Sequence, residues 1–263
     1  IITGGEPTEC LDLILEETKK KKDVFFALTT NAEHLSRDML ENIKRAGNMM
    51  LVISLDGIGS VHNQSRKEGS FDRILNSITL IKEYQIPFGF NTVANAFNLK
   101  QILNMDLGYF IHSIGGCSWE ILRYYPIGSH ADNFKMLMLN ESEHMLLKAY
   151  REKLAQQNPF DFVFTSPENN IQKCNKSIHI NPRGYFSYCP FSAWALGKIE
   201  VSDSAEMVAR KILLKENAWS DLTQLTSGFC PLQDNLNKYI EFHELNGEVF
   251  LEATGILKRD FNV

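Results

Sequence analysis

The sequence lacks any apolar run long enough to span a bilayer, and nothing at its start has the pattern of a secretory signal. No membrane-spanning helix is therefore expected within these residues. It also lacks an excess of basic residues: 27 Lys and Arg stand against 32 Asp and Glu, a net charge of −5. That balance argues against a generic nucleic-acid or anionic-membrane binder, leaving open only a local basic groove, and neither partner is expected. Cysteine is scarce and odd in number, five in 263 residues, which suits thiols or metal ligands in a reducing cytoplasm better than a disulfide framework. Internal repeats and low-complexity segments are absent. The chain also begins on Ile1 with no initiator methionine. What remains, 44% apolar and 22% charged, is the composition of an ordinary globular protein with room for one large core and a satellite.

The first part of the chain alternates short apolar runs with amphipathic stretches. Strands are expected at Ile1–Thr3, Val24–Leu28, Met50–Ser54, Phe88–Val93 and Trp119–Arg123. Helices are expected over Glu9–Lys20, Ser36–Ala46, Ser70–Tyr84, Leu99–Ile114 and Glu141–Gln156, with Ser36 as a cap. The Lys19–Lys22 run reads as a solvated helix end, where the dipole favours cations. Repeated βα units imply a parallel sheet covered by helices, and five in succession fit a barrel or partial barrel. In that architecture chemistry sits at the carboxyl ends of the strands. Polar clusters fall there: Gly4-Gly5-Glu6, Thr29-Thr30-Asn31, Ser54-Leu55-Asp56-Gly57, Asn91 with Asn95, and Arg123.

The pattern changes near Asn158, giving an expected division into 1–157 and 158–263. Ser177–Ile180 and Tyr185–Tyr188 flank Asn181-Pro182-Arg183-Gly184, a turn sequence that predicts a β-hairpin. Followed outward, the hairpin brings Cys174 and Cys189 to its open end, with nine residues before Gly184 and four after it. Cys230 comes later, in Gly-Phe-Cys-Pro. Thiolates brought together this way suit an iron–sulfur cluster, with zinc as the other candidate, and Cys230 is a third candidate ligand. Cys10 and Cys117 have no partner by spacing and read as buried apolar fillers.

Taken in order, these residues resemble the radical S-adenosylmethionine (SAM) enzymes. The resemblance rests on Gly4-Gly5-Glu6-Pro7, Thr29-Thr30-Asn31, Ile53-Ser54-Leu55-Asp56-Gly57, His62, Arg66, Gly69-Ser70-Phe71-Asp72, Asn91–Asn95, and Arg123 with Pro126 and Gly128. The later part resembles the auxiliary-cluster extension called SPASM, or its shorter form, twitch. Cys-x9-Gly-x4-Cys and Leu196-Gly197-Lys198-Ile199 carry that likeness.

The resemblance implies a partial (β/α)6 TIM-type barrel missing its first βα unit, followed by a small hairpin-and-helix domain. It implies SAM bound to a [4Fe–4S] cluster and cleaved by one electron to a 5′-deoxyadenosyl radical that abstracts hydrogen. Carbonyls of Gly4 and Gly5 would take the SAM ammonium, beside Glu6, Thr30 and Asn31. Arg66 would pair the carboxylate; Ser54 and Asn91 would contact carboxylate or ribose; Asp56 would support its strand end; Arg123 would reach ribose or substrate. The implied partners are a peptide, protein or small-molecule substrate and an electron donor such as flavodoxin or ferredoxin. An auxiliary iron–sulfur site would use Cys174, Cys189 and Cys230, with Gln233 where some relatives carry a fourth cysteine.

The chain departs from the family in lacking Cys-x3-Cys-x2-Cys, the ligand set of the radical-generating cluster. The expectation is a chain that starts at the family's second strand, its cluster ligands upstream, and that is inactive alone. Two alternatives remain: a non-catalytic scaffold that binds peptide at its barrel mouth, and an unrelated metal-dependent barrel enzyme.

Overall fold

The computed structural model describes residues 1–124, 136–160, 163–165, 178–188, 194–224 and 249–250. The chain divides into two compact units, Ile1–Tyr124 with Met136–Ser166, and Tyr125–Lys135 with Pro167–Val263.

The first unit is an α/β structure built on a parallel sheet of β1 (Phe26–Thr30), β2 (Met49–Ser54), β3 (Phe88–Ala94), β4 (Ser118–Arg123) and β5 (Val163–Thr165), in that spatial order. Every strand pairs with its predecessor in the chain. The helices are α1 (Leu11–Thr18), α2 (Arg37–Ala46), α3 (Ser60–Ser65), α4 (Ser70–Glu83), α5 (Leu99–Leu103), α6 (Asp106–Ser113) and α7 (Glu141–Gln157).

Side chains alternate across the pleat, so each strand offers one face to the helices. Leu28, Leu51, Ile53, Phe90 and Trp119 form that face and are fully buried. They share one core with Leu40 and Ile43 of α2, Ile74, Ile78 and Ile81 of α4, Ile102 of α5, Leu107 and Ile111 of α6, and Leu147 and Leu154 of α7. Each contributes about 1.5–3 kcal/mol by leaving water. The opposite face of the strands is half-buried and carries Thr29, Val52, Ser54, Asn91, Val93 and Glu120.

The structure corrects several boundaries. Ile1–Thr3 is not a full strand; only Ile2 bridges to Leu28, in parallel. Val24 belongs to a turn closed by its N–H on the Lys21 carbonyl, so the first ladder bond is Phe26 N–H to the Asn48 carbonyl. The segment expected as one helix at Glu9–Lys20 is a 3-10 turn, Pro7–Cys10, followed by α1. The stretch Leu99–Ile114 breaks in two. Its buried positions Leu99, Ile102, Leu107 and Ile111 contain a five-residue step, one too many for a single helical face. Met105, at φ 66°, absorbs the extra residue. Cys10 and Cys117 are exposed, not buried.

The Ser36 hydroxyl accepts from the Met39 N–H as the cap of α2. At the other end of α2, Asn48 ties the sheet to α1. Its amide nitrogen lies 3.0, 2.9 and 3.1 Å from the carbonyls of Thr18, Lys21 and Val24.

In the second unit β6 (His179–Ile180) and β7 (Tyr185–Ser187) form the expected antiparallel hairpin, with His179 opposite Ser187. The Gly184 N–H closes its turn on the Asn181 carbonyl at 2.9 Å. Strands β8 (Trp194–Ala195) and β9 (Gly197–Lys198) follow, and β9 pairs with β7. Helix α8 (Ala205–Gln224) meets the hairpin where the Tyr188 hydroxyl donates to the Ile212 carbonyl; β10 (Val249–Phe250) pairs with β8. Cys174, Cys189, Cys230 and Gln233 lie outside the described residues.

Asn48→Ala leaves three carbonyls, that of Thr18 among them buried, without their amide donor and is expected to cost about 1–3 kcal/mol of stability, read by urea unfolding. Asn48→Asp should cost more, since it sets an anionic oxygen against them.

Candidate functional site at the carboxyl strand ends

Gly4 and Gly5 lie at φ 101° and 30°, and a Cβ on either would meet nothing within 4 Å. Glycine is required here by backbone conformation rather than by crowding. Glu6 then turns inward. One carboxylate oxygen accepts from the Thr8 N–H at 3.2 Å and from the hydroxyls of Thr8 and Thr30 at 2.7 and 2.6 Å; the other accepts from the Asn31 N–H at 2.8 Å. Burial pushes the Glu6 carboxyl up, but the bonds from Asn31, Thr30 and Thr8 together outweigh it and hold it below its usual value. Glu6 thus staples the Gly-Gly segment to the end of β1.

Ser54 ends β2 directly beside Asn91 of β3. The Ser54 hydroxyl and the Asn91 side-chain amide make no hydrogen bond among the described residues. Two residues on, Asp56 is 3% exposed. Its Oδ1 accepts from the Val93 N–H at 2.8 Å and its Oδ2 from Arg66 Nε at 2.5 Å. Its carbonyl accepts from Asn98 Nδ2 at 2.7 Å. Gly57 is required by space, since a Cβ would come 2.6 Å from Val61 Cγ1. Arg66 is about one-third exposed, and its two terminal nitrogens have no partner among the described residues.

Beneath this edge lies a second polar chain. His62 is fully buried on α3. Its Nδ1 accepts from the Asp56 N–H at 3.1 Å, which leaves Nε2 to carry the proton toward Ser70 Oγ at 3.0 Å. Ser70 donates to Glu33 at 2.6 Å, and Arg73 Nε donates to the other Glu33 oxygen at 2.7 Å. Burial drives the His62 pKa down to about 4; Asp56 and Glu33 pull it up, and Arg66 pushes it further down.

The structure therefore joins Gly4–Glu6 to Thr30 and Asn31, Ser54 to Asn91, and Asp56 to Arg66, all at carboxyl ends of adjacent parallel strands. Arg123 stands at the end of β4 in register with Ala94. Two further residues belong to this edge. Glu120 on β4 is in register with Asn91, extending a row from Ser54, and a polar residue amid Trp119, Ile121 and Leu122 was the available signal. Asn98, fully buried, donates to the carbonyls of Asp56 and Val93; no local pattern marked it.

An α/β domain that sends its free polar groups to one end of a parallel sheet belongs to the class that binds small ligands there. Residues 1–105 match the model of the Radical SAM superfamily. A cysteine-type anaerobic sulfatase-maturating enzyme of Clostridium novyi (strain NT) is 29% identical over 111 residues, covering 38% of this chain and 29% of the relative. The sporulation killing factor maturation protein SkfB of Bacillus subtilis (strain 168) is 23% identical over 232 residues, 81% of this chain and 54% of the relative. The chain thus spans about half or less of the curated relatives it matches. Among solved structures, native anSMEcpe with bound AdoMet superposes with a TM-score of 0.61 at 15% identity, over 92% of this chain and 79% of that one, a likeness of fold. Among the described residues no helix is long and apolar enough to cross a membrane.

The unfolded chain protonates His62 below about pH 6.5, whereas the folded one resists until about 4. Its contribution to stability is complete above 6.5 and is lost as pH falls toward 4. Between those values wild-type unfolding free energy should fall by about 1.4 kcal/mol per pH unit more steeply than that of His62→Asn, measured by denaturant titration at stepped pH.

Proposed function

We propose that the whole protein is a radical SAM maturase, binding S-adenosylmethionine at the carboxyl strand ends of the first unit and abstracting hydrogen from a peptide or protein. The observation that carries this is the set of unused polar groups on two adjacent strand ends: the Ser54 hydroxyl, the Asn91 amide, and the Arg66 fork held by Asp56.

These groups fit the ligand. A planar cationic fork with both terminal nitrogens free matches a carboxylate in a bidentate way. A hydroxyl beside an amide offers donors and acceptors to carboxylate or ribose. The exposed Gly4-Gly5 backbone offers carbonyls to an ammonium group, while Glu6, Thr30 and Asn31 fix that backbone by bonding one another. Arg123 is placed at the next strand end, for ribose or substrate. When bound and cleaved by one electron, SAM supplies a radical able to take hydrogen from substrate. The part of this chain is to orient the ligand and fix its charges.

The radical-generating cluster does not fit the residues present. The sequence has no Cys-x3-Cys-x2-Cys, and the described residues hold no group of three His, Cys, Asp or Glu positioned for a metal ion.

A peptide-class substrate is supported by the relatives, two of which are named for maturation of a sulfatase and of a killing factor. It is also supported by the fold neighbour anSMEcpe, solved with AdoMet and the Cp18Cys peptide, TM-score 0.59. The proposal extends to a partial (β/α)6 barrel at 1–157, with β5 (Val163–Thr165) of the same sheet lying just past that boundary. Sequential parallel strands joined by crossovers of the usual right hand keep their helices on one face, as a barrel requires and a doubly wound sheet does not. It includes a SPASM- or twitch-like domain at 158–263, an auxiliary iron–sulfur site on Cys174, Cys189 and Cys230, and a flavodoxin or ferredoxin as electron donor.

Arg66→Ala in the full-length protein should weaken SAM about 10- to 100-fold in equilibrium dialysis, the worth of charge-assisted hydrogen bonds. Unchanged affinity would refute the placement. Anaerobically purified Cys189→Ala should lose iron and sulfide equivalent to about one cluster, because a thiolate ligand is gone. An iron count equal to wild type removes the auxiliary site.

A further inference from the structure

We infer that His62 is a positioning residue for the Arg66 fork: anchored through Ser70 to Glu33, it fixes the Asp56 peptide and thereby the direction in which Arg66 presents its free nitrogens. This rests on the SAM-binding reading above and adds a group that touches no ligand.

His62 holds Arg66 from both sides. Its carbonyl accepts the Arg66 backbone N–H at 3.0 Å. Its ring accepts the Asp56 N–H, and the Asp56 carboxylate takes Arg66 Nε. Using Nε for Asp56 leaves the Nη pair, the end of the fork, as the surface offered outward. The relay has one polarity throughout: Asp56 N–H to His62, His62 to Ser70, Ser70 to Glu33. Each hydrogen has one acceptor, so the ring has one compatible orientation and one tautomer.

Packing alone does not call for histidine here. The site is fully buried, and a leucine would fill a similar space while abandoning two hydrogen bonds. The relay also crosses three elements, since Glu33 follows β1, Asp56 follows β2 and Ser70 opens α4. Glu33 is itself held by Arg73, so the far end is fixed.

The experiment compares SAM with decarboxylated SAM, which keeps the sulfonium, ribose and adenine but offers Arg66 no carboxylate. Dissociation constants are measured by equilibrium dialysis on full-length protein, anaerobically, for wild type, His62→Leu, His62→Asn and Ser70→Ala. Wild type should prefer SAM. His62→Leu should weaken SAM about tenfold, the scale of the lost bond to the Asp56 N–H that fixes Arg66, and leave decarboxylated SAM within about twofold. His62→Asn, whose side-chain oxygen can still accept from the Asp56 N–H, should recover most of the SAM affinity. If His62→Leu does not fold, Ser70→Ala carries the test, with a smaller loss confined to SAM. Equal weakening of both ligands, or of neither, overturns the positioning role while the binding site stands. A wild type that binds neither ligand overturns the SAM reading itself, and one that binds both without preference overturns the pairing of Arg66 with the carboxylate and the positioning role with it.

Discussion

Asp56 carries a carboxylate almost wholly removed from water, so its charge has to be answered within the protein. An uncompensated buried ion costs several kcal/mol. Here every polar atom of the residue is assigned: the N–H to His62, the carbonyl to Asn98, one carboxylate oxygen to the Val93 N–H and the other to Arg66. Four separate segments are fixed by one side chain and its peptide. The ends of β2 and β3, the short helix α3 and the start of α5 cannot shift independently while this residue is satisfied.

The same economy governs the rest of the edge. Thr92 donates to the Leu55 carbonyl and accepts from Trp119 Nε1, both bonds fully buried. Asn95 accepts from the Phe97 N–H and donates to the Val93 carbonyl. Such closed networks stiffen the strand ends, because breaking any member exposes a dry polar group. Against that rigid surround, Ser54, Asn91 and the Arg66 fork stand out as groups held in place yet still able to bond. A ligand that engages them meets side chains whose backbones are already ordered, and less freedom is lost on binding.

Much of the fold was legible from spacing. Ile74, Ile78 and Ile81 mark one face of α4, and the strand cores at Met50–Ser54 and Phe88–Val93 were each short by a single residue. The five-residue step between Ile102 and Leu107 was readable as a phase slip, but only if the helix was not assumed continuous. β5 is three residues long and has no period to detect. At the site, the identity of the polar clusters was visible while their wiring was not. Glu6 bonds Thr30 and Asn31 across more than twenty positions, and Glu33 reaches Ser70 and Arg73 across about forty. Pairings of that range are set by strand order, which no local window contains. Asn98 was invisible for the same reason.

The strand order itself has a consequence for how the molecule comes into being. Each strand of the sheet finds its neighbour in the one made just before it, across a connection that holds one or two helices. Emerging from the ribosome, the chain never needs to wait for a distant segment before the next pairing is available. Pairing consecutive strands keeps each loop as short as a parallel crossover allows, and the entropic cost of closure grows only slowly with loop length. The leading edge left open at each moment is one strand wide, so a growing sheet of this kind exposes less unpaired backbone to other nascent chains than one whose central strands are synthesised last.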